Sequence, residues 1–144
     1  MRLSARTEYA AIAALELARH WQAEEPVRIR EICAAQGVPA RFLVHILLRL
    51  KHAGIVASVR GAAGGYRLAR HPEEITLEDL RVAIEGPGTD VAPVSVALGQ
   101  RSRLAGLLAE SWEAAARAEA DVLRGTTLAD LAARCRSGDA MYYI

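Results

Sequence analysis

An amphipathic stretch from Pro39 to Ala53 runs almost directly into Ser58-Val59-Arg60-Gly61-Ala62-Ala63-Gly64-Gly65-Tyr66-Arg67-Leu68-Ala69, and no other feature narrows the fold as far. In the first part, Leu43, Ile46, Leu47 and Leu50 recur at helical spacing on one face, with Arg41, His45 and His52 opposite. In the second, the runs from Ile55 to Val59 and from Tyr66 to Ala69 are short and β-prone, and the glycine-containing segment between them reads as the turn of a two-stranded hairpin. The glycines admit positive φ and leave no side chain to hold a phosphate backbone away. A helix with one basic face, followed by a hairpin turn flanked by Arg60 and Arg67, points to nucleic acid as the first partner to consider.

The residues before this pair of elements complete a reader. Apolar positions at Leu3, Tyr9, Ala10, Ile12, Ala13, Leu15, Leu17 and Ala18 predict a first helix from Leu3 to Trp21, capped by Ser4 or Thr7 and ended by Glu24-Glu25-Pro26. A second helix is expected from about Ile29 to Ala35, stopping at Gly37, and a third opens at Pro39 and ends at Gly54. Helix, short turn and helix is the order of a helix-turn-helix, whose second helix enters the major groove by its N-terminal end. That places Arg41 and His45 best. Thr76 with Asp79 three residues on reads as the cap of a fourth helix ending at Gly86-Pro87-Gly88, where the core of this domain is expected to close.

Helical spacing resumes from about Val96 to Arg124, with an apolar stripe of Leu98, Leu104, Leu107, Leu108, Trp112, Ala115, Ala118 and Val122. Such a helix either folds back on the first helix or is buried against a symmetry mate; its small residues, which allow close approach, favour a C2 pair. Thr127 and Asp130 repeat the threonine-and-acid cap before a short last helix, and the tail from Ser137 to Ile144 is expected to fray. The fold class expected is mainly α with a small β-hairpin wing. Residues 1–86 would form a winged helix-turn-helix domain, residues 87–136 a linker, a long dimerisation helix and a short terminal helix, and residues 137–144 a flexible tail.

Composition excludes several other functions. The formal net charge is only +1, so affinity for DNA must come from charge segregated along the chain; basic residues gather from Arg28 to Arg70, where Glu31 is the one acid. The plain alternative is a solvated charged face. No apolar run is long enough to span a bilayer and no secretion signal opens the chain, so a cytoplasmic protein with no membrane partner is expected. His20, His45, His52 and His71 lack ligand spacing, and no nucleophile elbow, His-Glu-x-x-His or phosphate loop is present, so no enzyme is expected. The Gly61, Gly64 and Gly65 run is followed by a β-prone segment rather than a helix, which argues against a nucleotide-binding loop. Two cysteines are too few for a disulfide framework or a Cys-only metal site; Cys33 reads first as a small core residue, and Cys33 and Cys135 are kept as candidates for a thiol switch.

With these residues in place, the chain resembles the Rrf2-type winged-helix transcription regulators. The resemblance rests on Met1-Arg2-Leu3-Ser4 with Tyr9-Ala10, on Phe42-Leu43 through Leu50 with Ala53-Gly54, and on Ser58-Val59-Arg60-Gly61 with Gly64-Gly65-Tyr66-Arg67-Leu68-Ala69. It continues through Ile75-Thr76-Leu77 and Ile84-Glu85-Gly86 to Thr127-Leu128-Ala129-Asp130-Leu131. It implies a homodimer on a roughly palindromic operator, with the helix from about Gln100 to Arg124 as the dimer interface. Many such regulators hold an iron–sulfur cluster through three cysteines in the loop and early part of that helix. The segment from Thr89 to Leu108 contains no cysteine, so no cofactor is expected. Glu8 matches a position where some members use an acidic cluster ligand, and Val44-His45 departs from the Glu-Gln pair common at that point of the reader helix.

The function expected is a dimeric, sequence-specific DNA-binding regulator, acting as a repressor, with double-stranded DNA as its partner and a small molecule or protein as effector. Arg28, Arg41, His45, Arg49 and Lys51 would supply major-groove and phosphate contacts, Arg2 a further phosphate contact, and Ser58, Arg60, Gly61, Gly64, Gly65 and Arg67 the wing. Leu104, Leu107, Leu108, Trp112, Ala115, Ala118 and Val122 would form the dimer interface. The competing reading is a protein-interaction module that uses the winged helix to hold a partner enzyme.

Overall fold

Seven α-helices, a short 3-10 helix (Pro72–Glu74) and one hairpin appear in the computed structural model, which describes residues 3–23, 25–87, 94–98 and 101–142. Helix α1 spans Ala5–Arg19. Ser4 caps it, its Oγ accepting from the Thr7 amide at 3.2 Å, and the Thr7 hydroxyl in turn donates to Oε1 of Glu85 at 2.8 Å. That bond and the Ser4 amide at 3.3 Å hold the Glu85 carboxyl below its ordinary range, against the opposing effect of its burial. Ala10, Ala13 and Ala14 on α1 are fully buried, and side chains this small let neighbouring helices approach closely.

Helices α2 (Ile29–Gln36) and α3 (Ala40–His52) are bent by 120° at the turn between them. Gly37 closes α2 at φ 69°, and its amide donates to the Cys33 carbonyl oxygen. The N-terminus of α2 is held by Glu31, whose carboxylate accepts from the Arg28 amide at 2.9 Å. A buried carboxylate joins α1 to α2: Glu16 accepts from Gln36 Nε2 at 2.7 Å and from Arg19 at 3.2 Å. Leu43, Ile46, Leu47 and Leu50 of α3 are all buried, and the Tyr9 and Phe42 rings stack at 5.8 Å between α1 and α3.

Strands β1 (Val56–Val59) and β2 (Gly65–Leu68) pair antiparallel, Val56 with Leu68 and Val59 with Gly65. Val27 adds a one-residue bridge on the far side of β2, exchanging both backbone hydrogen bonds with Tyr66 at 2.8 and 2.7 Å. Helix α4 (Leu77–Glu85) starts at the Thr76–Asp79 capping box read in the sequence and ends at Gly86. Arg81 on α4 makes a two-point hydrogen-bonded pair with Glu78 at 2.7 and 2.8 Å, which keeps the Glu78 carboxyl below its ordinary range despite partial burial.

Three expectations about the second half need correction. The pattern from Val96 to Arg124 is not one helix: α5 (Val94–Leu98) ends where the Arg101 and Ser102 amides donate to the Leu98 carbonyl oxygen. Ser102 then adopts an extended conformation and caps α6 (Arg103–Arg124), accepting from the Ala105 amide. Nor does the core close at Gly86. Thr76 bridges Thr127, the Leu128 amide donates to the Ile75 carbonyl oxygen at 2.9 Å, and Leu128 and Ala132 are buried beside α1. The last helix therefore completes the first domain's core. Finally, α7 runs from Leu128 through Tyr142, past Ser137; the Ser137 hydroxyl donates to the Ala133 carbonyl oxygen four residues back, so this polar side chain is accommodated within the helix.

Candidate nucleic-acid interface

The burial of four apolar residues on one side of α3 dictates what its other side shows. Arg41, Val44, His45, Leu48 and His52 are exposed there, with Arg49 and Lys51 exposed at its flanks. The Arg41 guanidinium lies 4.8 Å from the centre of the Phe42 ring, the ring that also anchors α3 to α1. This face projects from the second helix of the bent α2–α3 pair, as a major-groove reader requires.

Arg49 has a partner within the chain that the sequence did not indicate. Its Nη1 donates to the Ile84 carbonyl oxygen at 2.8 Å, so it satisfies a backbone acceptor in the last turn of α4. Beside it, Arg6, Phe42, His45, Ile46, Arg49 and Ile84 line a recess of about 260 Å³. The sequence reading missed Arg6. The sequence offered only its position three residues before Tyr9, on the same face of α1; the Tyr9–Phe42 stack that brings this face to α3 is a tertiary contact.

The hairpin places Ser58 and Arg60 on exposed surface, and Gly61 takes φ 109° at the turn, accepting from the Gly64 amide at 3.0 Å. Gly64 and Gly65 are required by close backbone approach, not by a positive φ. A Cβ on Gly64 would lie 2.3 Å from the Val59 carbonyl oxygen, and one on Gly65 would lie 2.5 Å from that of Val27. Their bare backbones permit the hairpin to close and to pack against residue 27, and neither has a positive φ. Arg28 is likewise tied into the wing: its guanidinium donates to the Ala62 carbonyl oxygen.

Arg67 pairs across the ladder with Ala57, so it points away from the face on which Val56 and Leu68 are buried. It lines a cleft of about 430 Å³ with His20, Trp21 and Glu25. Arg2 lies outside the described residues. Cys33 is half-buried against the core and Cys135 is half-buried on α7, both as free thiols.

Residues 3–134 match the Rrf2 family, described as iron-dependent transcriptional regulators. The chain belongs to the Rrf2 family. It is 39% identical to an HTH-type transcriptional regulator of Mycobacterium tuberculosis over 132 residues, 92% of this chain and 81% of that one. Among solved structures it is similar to IscR of T. potens, with 31% identity, a TM-score of 0.76, and coverage of 99% of this chain and 97% of the other. It is also similar to CymR, the global cysteine regulator of B. subtilis, with 30% identity, a TM-score of 0.79, and coverage of 92% and 97%.

This Rrf2 chain is thus a winged helix-turn-helix, DNA-binding regulator of transcription, and its family are not enzymes. An iron–sulfur cluster held by three cysteines of one chain does not fit its donor set, because the chain has two cysteines and they lie on α2 and α7. Among the described residues, no three His, Cys, Asp or Glu side chains are grouped to hold a metal ion. No single described helix is long and apolar enough to cross a membrane.

Proposed function

We propose that this Rrf2 regulator binds a roughly palindromic operator as a homodimer, represses by occluding a promoter, and works without an iron–sulfur cluster. The observation that carries the dimer is α6. Of its 22 residues only Ala105 is buried, while Leu104 is 73% exposed, Val122 67%, Leu107 54%, and Leu108 and Trp112 51% each. Ala115 and Ala118 are exposed on the same face. A contiguous apolar stripe of this length on a soluble chain calls for a covering surface. A two-fold mate supplies the same stripe, and the alanines permit the two helices to approach closely.

A two-fold pair calls for a palindromic operator, because each reader helix then meets its own half-site about one helical turn of DNA from the other. Such a dimer covers the DNA between its half-sites, so occupancy alone is sufficient to obstruct a polymerase. The test combines sedimentation equilibrium at micromolar protein with transcription in vitro from a promoter fragment that the protein retards in a gel. Dimeric mass and reduced transcript support the proposal. A monomer at these concentrations removes the dimer, and an increased transcript removes the repressor. Colourless protein from anaerobic purification that still retards the fragment supports cluster-free operation, whereas a cluster absorption band lost together with binding overturns it.

A further inference from the structure

The outward face of α3 carries two residues that a basic reader does not require. Val44 and Leu48 are each 49% exposed, whereas the apolar residues on the opposite face of the same helix are at most 2% exposed. They are four positions apart, so their Cβ atoms lie about 5–6 Å from one another and form one small apolar patch. Arg41 precedes it, His45 lies beside it between Val44 and Leu48, and Lys51 and His52 follow it, all exposed. A second copy of this face would bring like charges together, while a polyanion would meet them favourably. The surroundings of the patch therefore select DNA as its occupant.

We propose that Val44 and Leu48 read thymine C5-methyl groups in the major groove, and that the operator holds thymines at the positions facing them. The proposal rests on the DNA-binding reading and adds the base class. Among the groups that base pairs present in the major groove, the thymine methyl is the apolar one; guanine and adenine offer acceptors, and cytosine and adenine offer amino donors. Valine and leucine can satisfy none of those donors or acceptors, so pressing them on a G·C edge would leave polar groups desolvated and unpaired. With a rise of about 3.4 Å per base pair, the separation of the two side chains corresponds to one or two steps. The favoured thymines are therefore adjacent or next-neighbours. Arg41 and His45 would supply the hydrogen bonds beside them.

The test uses the full chain and duplexes that it selects from a random-sequence pool. Each thymidine in a selected duplex is replaced singly by deoxyuridine, which removes only the methyl group. At one or two positions per half-site, affinity should fall roughly four-fold, the cost of one buried methyl-sized group. In Val44→Ser and Leu48→Ser, whose half-exposed sites leave the core intact, the penalty at one position should vanish while wild-type thermal stability is retained. Selection of tight-binding duplexes whose affinity is unchanged by every deoxyuridine overturns the thymine proposal and leaves DNA binding standing. Failure to select any duplex overturns both.

Discussion

Arg28, the residue that opens α2, donates from its guanidinium to the carbonyl oxygen of Ala62, 34 residues later at the tip of the wing. Together with the Val27–Tyr66 bridge, this bond fixes the hairpin to the segment that enters the helix-turn-helix. The wing and the reader helix are thus positioned by one another. Arg28→Ala should reduce DNA affinity by loosening the wing while lowering the slope of log K against log salt by less than one phosphate's worth, about 0.9. Arg60→Ala, which removes an exposed wing cation, should cost about 1–3 kcal/mol if that side chain reads a base, and lower the slope by about 1 if it neutralises a phosphate. Salt titrations of both variants check this, and a full-unit drop for Arg28→Ala would show that Arg28 itself contacts phosphate.

Gly65→Ala should destabilise the fold by about 2 kcal/mol or more, because its Cβ would meet backbone atoms at Val27 that have no freedom to rotate away. Gly138→Ala, inside α7 with open space around the added methyl, should instead stabilise by about 0.5–1 kcal/mol. Thermal unfolding of the two variants, read against wild type, distinguishes glycine kept for close backbone approach from glycine that helix α7 does not need.

Thr7→Val keeps the shape of a buried residue and removes its donor to Glu85, at a cost of about 1–2 kcal/mol near neutral pH. The folded-state pKa of Glu85 is depressed, so its contribution is fully present above the ordinary carboxyl value and is lost as pH falls through the lower folded one. Wild type and Thr7→Val should consequently converge in stability on acidification below about pH 4. Denaturant midpoints measured from pH 7 down to pH 3 check this; a constant difference over that range would contradict the Glu85 assignment.

Trp112→Glu places a charge at the middle of the exposed α6 stripe without touching the core. The expected result is a folded monomer with native helix content and strongly weakened operator binding, since each half-site then has to be held alone. Sedimentation and circular dichroism give both answers from the same sample. A stable Trp112→Glu dimer would move the interface off this stripe.

The order of helices α1 to α4, the hairpin between them and the caps at Thr76 and Thr127 were legible in the sequence because each depends on local spacing and local hydrogen bonds. For α1 the sequence left two caps open, Ser4 and Thr7, and the structure chose Ser4. The break before α6 was equally local, since Ser102 is a capping residue, but it was hidden by apolar residues that keep helical spacing on both sides. Arg49 could not be placed from local pattern at all. Its acceptor, the Ile84 carbonyl oxygen, lies on another helix.

The sequence alone determined a two-faced reader helix, a glycine-tipped hairpin, an unpartnered-looking α6 stripe and a cysteine count that cannot supply three thiolates. Tertiary structure decided which partners within the chain several cations and glycines have. It gave Arg49 an acceptor on α4 and Arg28 one in the wing, brought Arg6 beside His45, set Gly65 against Val27, and drew Leu128 into the core across the Thr76–Thr127 bridge. The physical reason is that periodicity reports which face of an element is buried, whereas the partner of a guanidinium or the neighbour of a missing Cβ is set by residues far away along the chain.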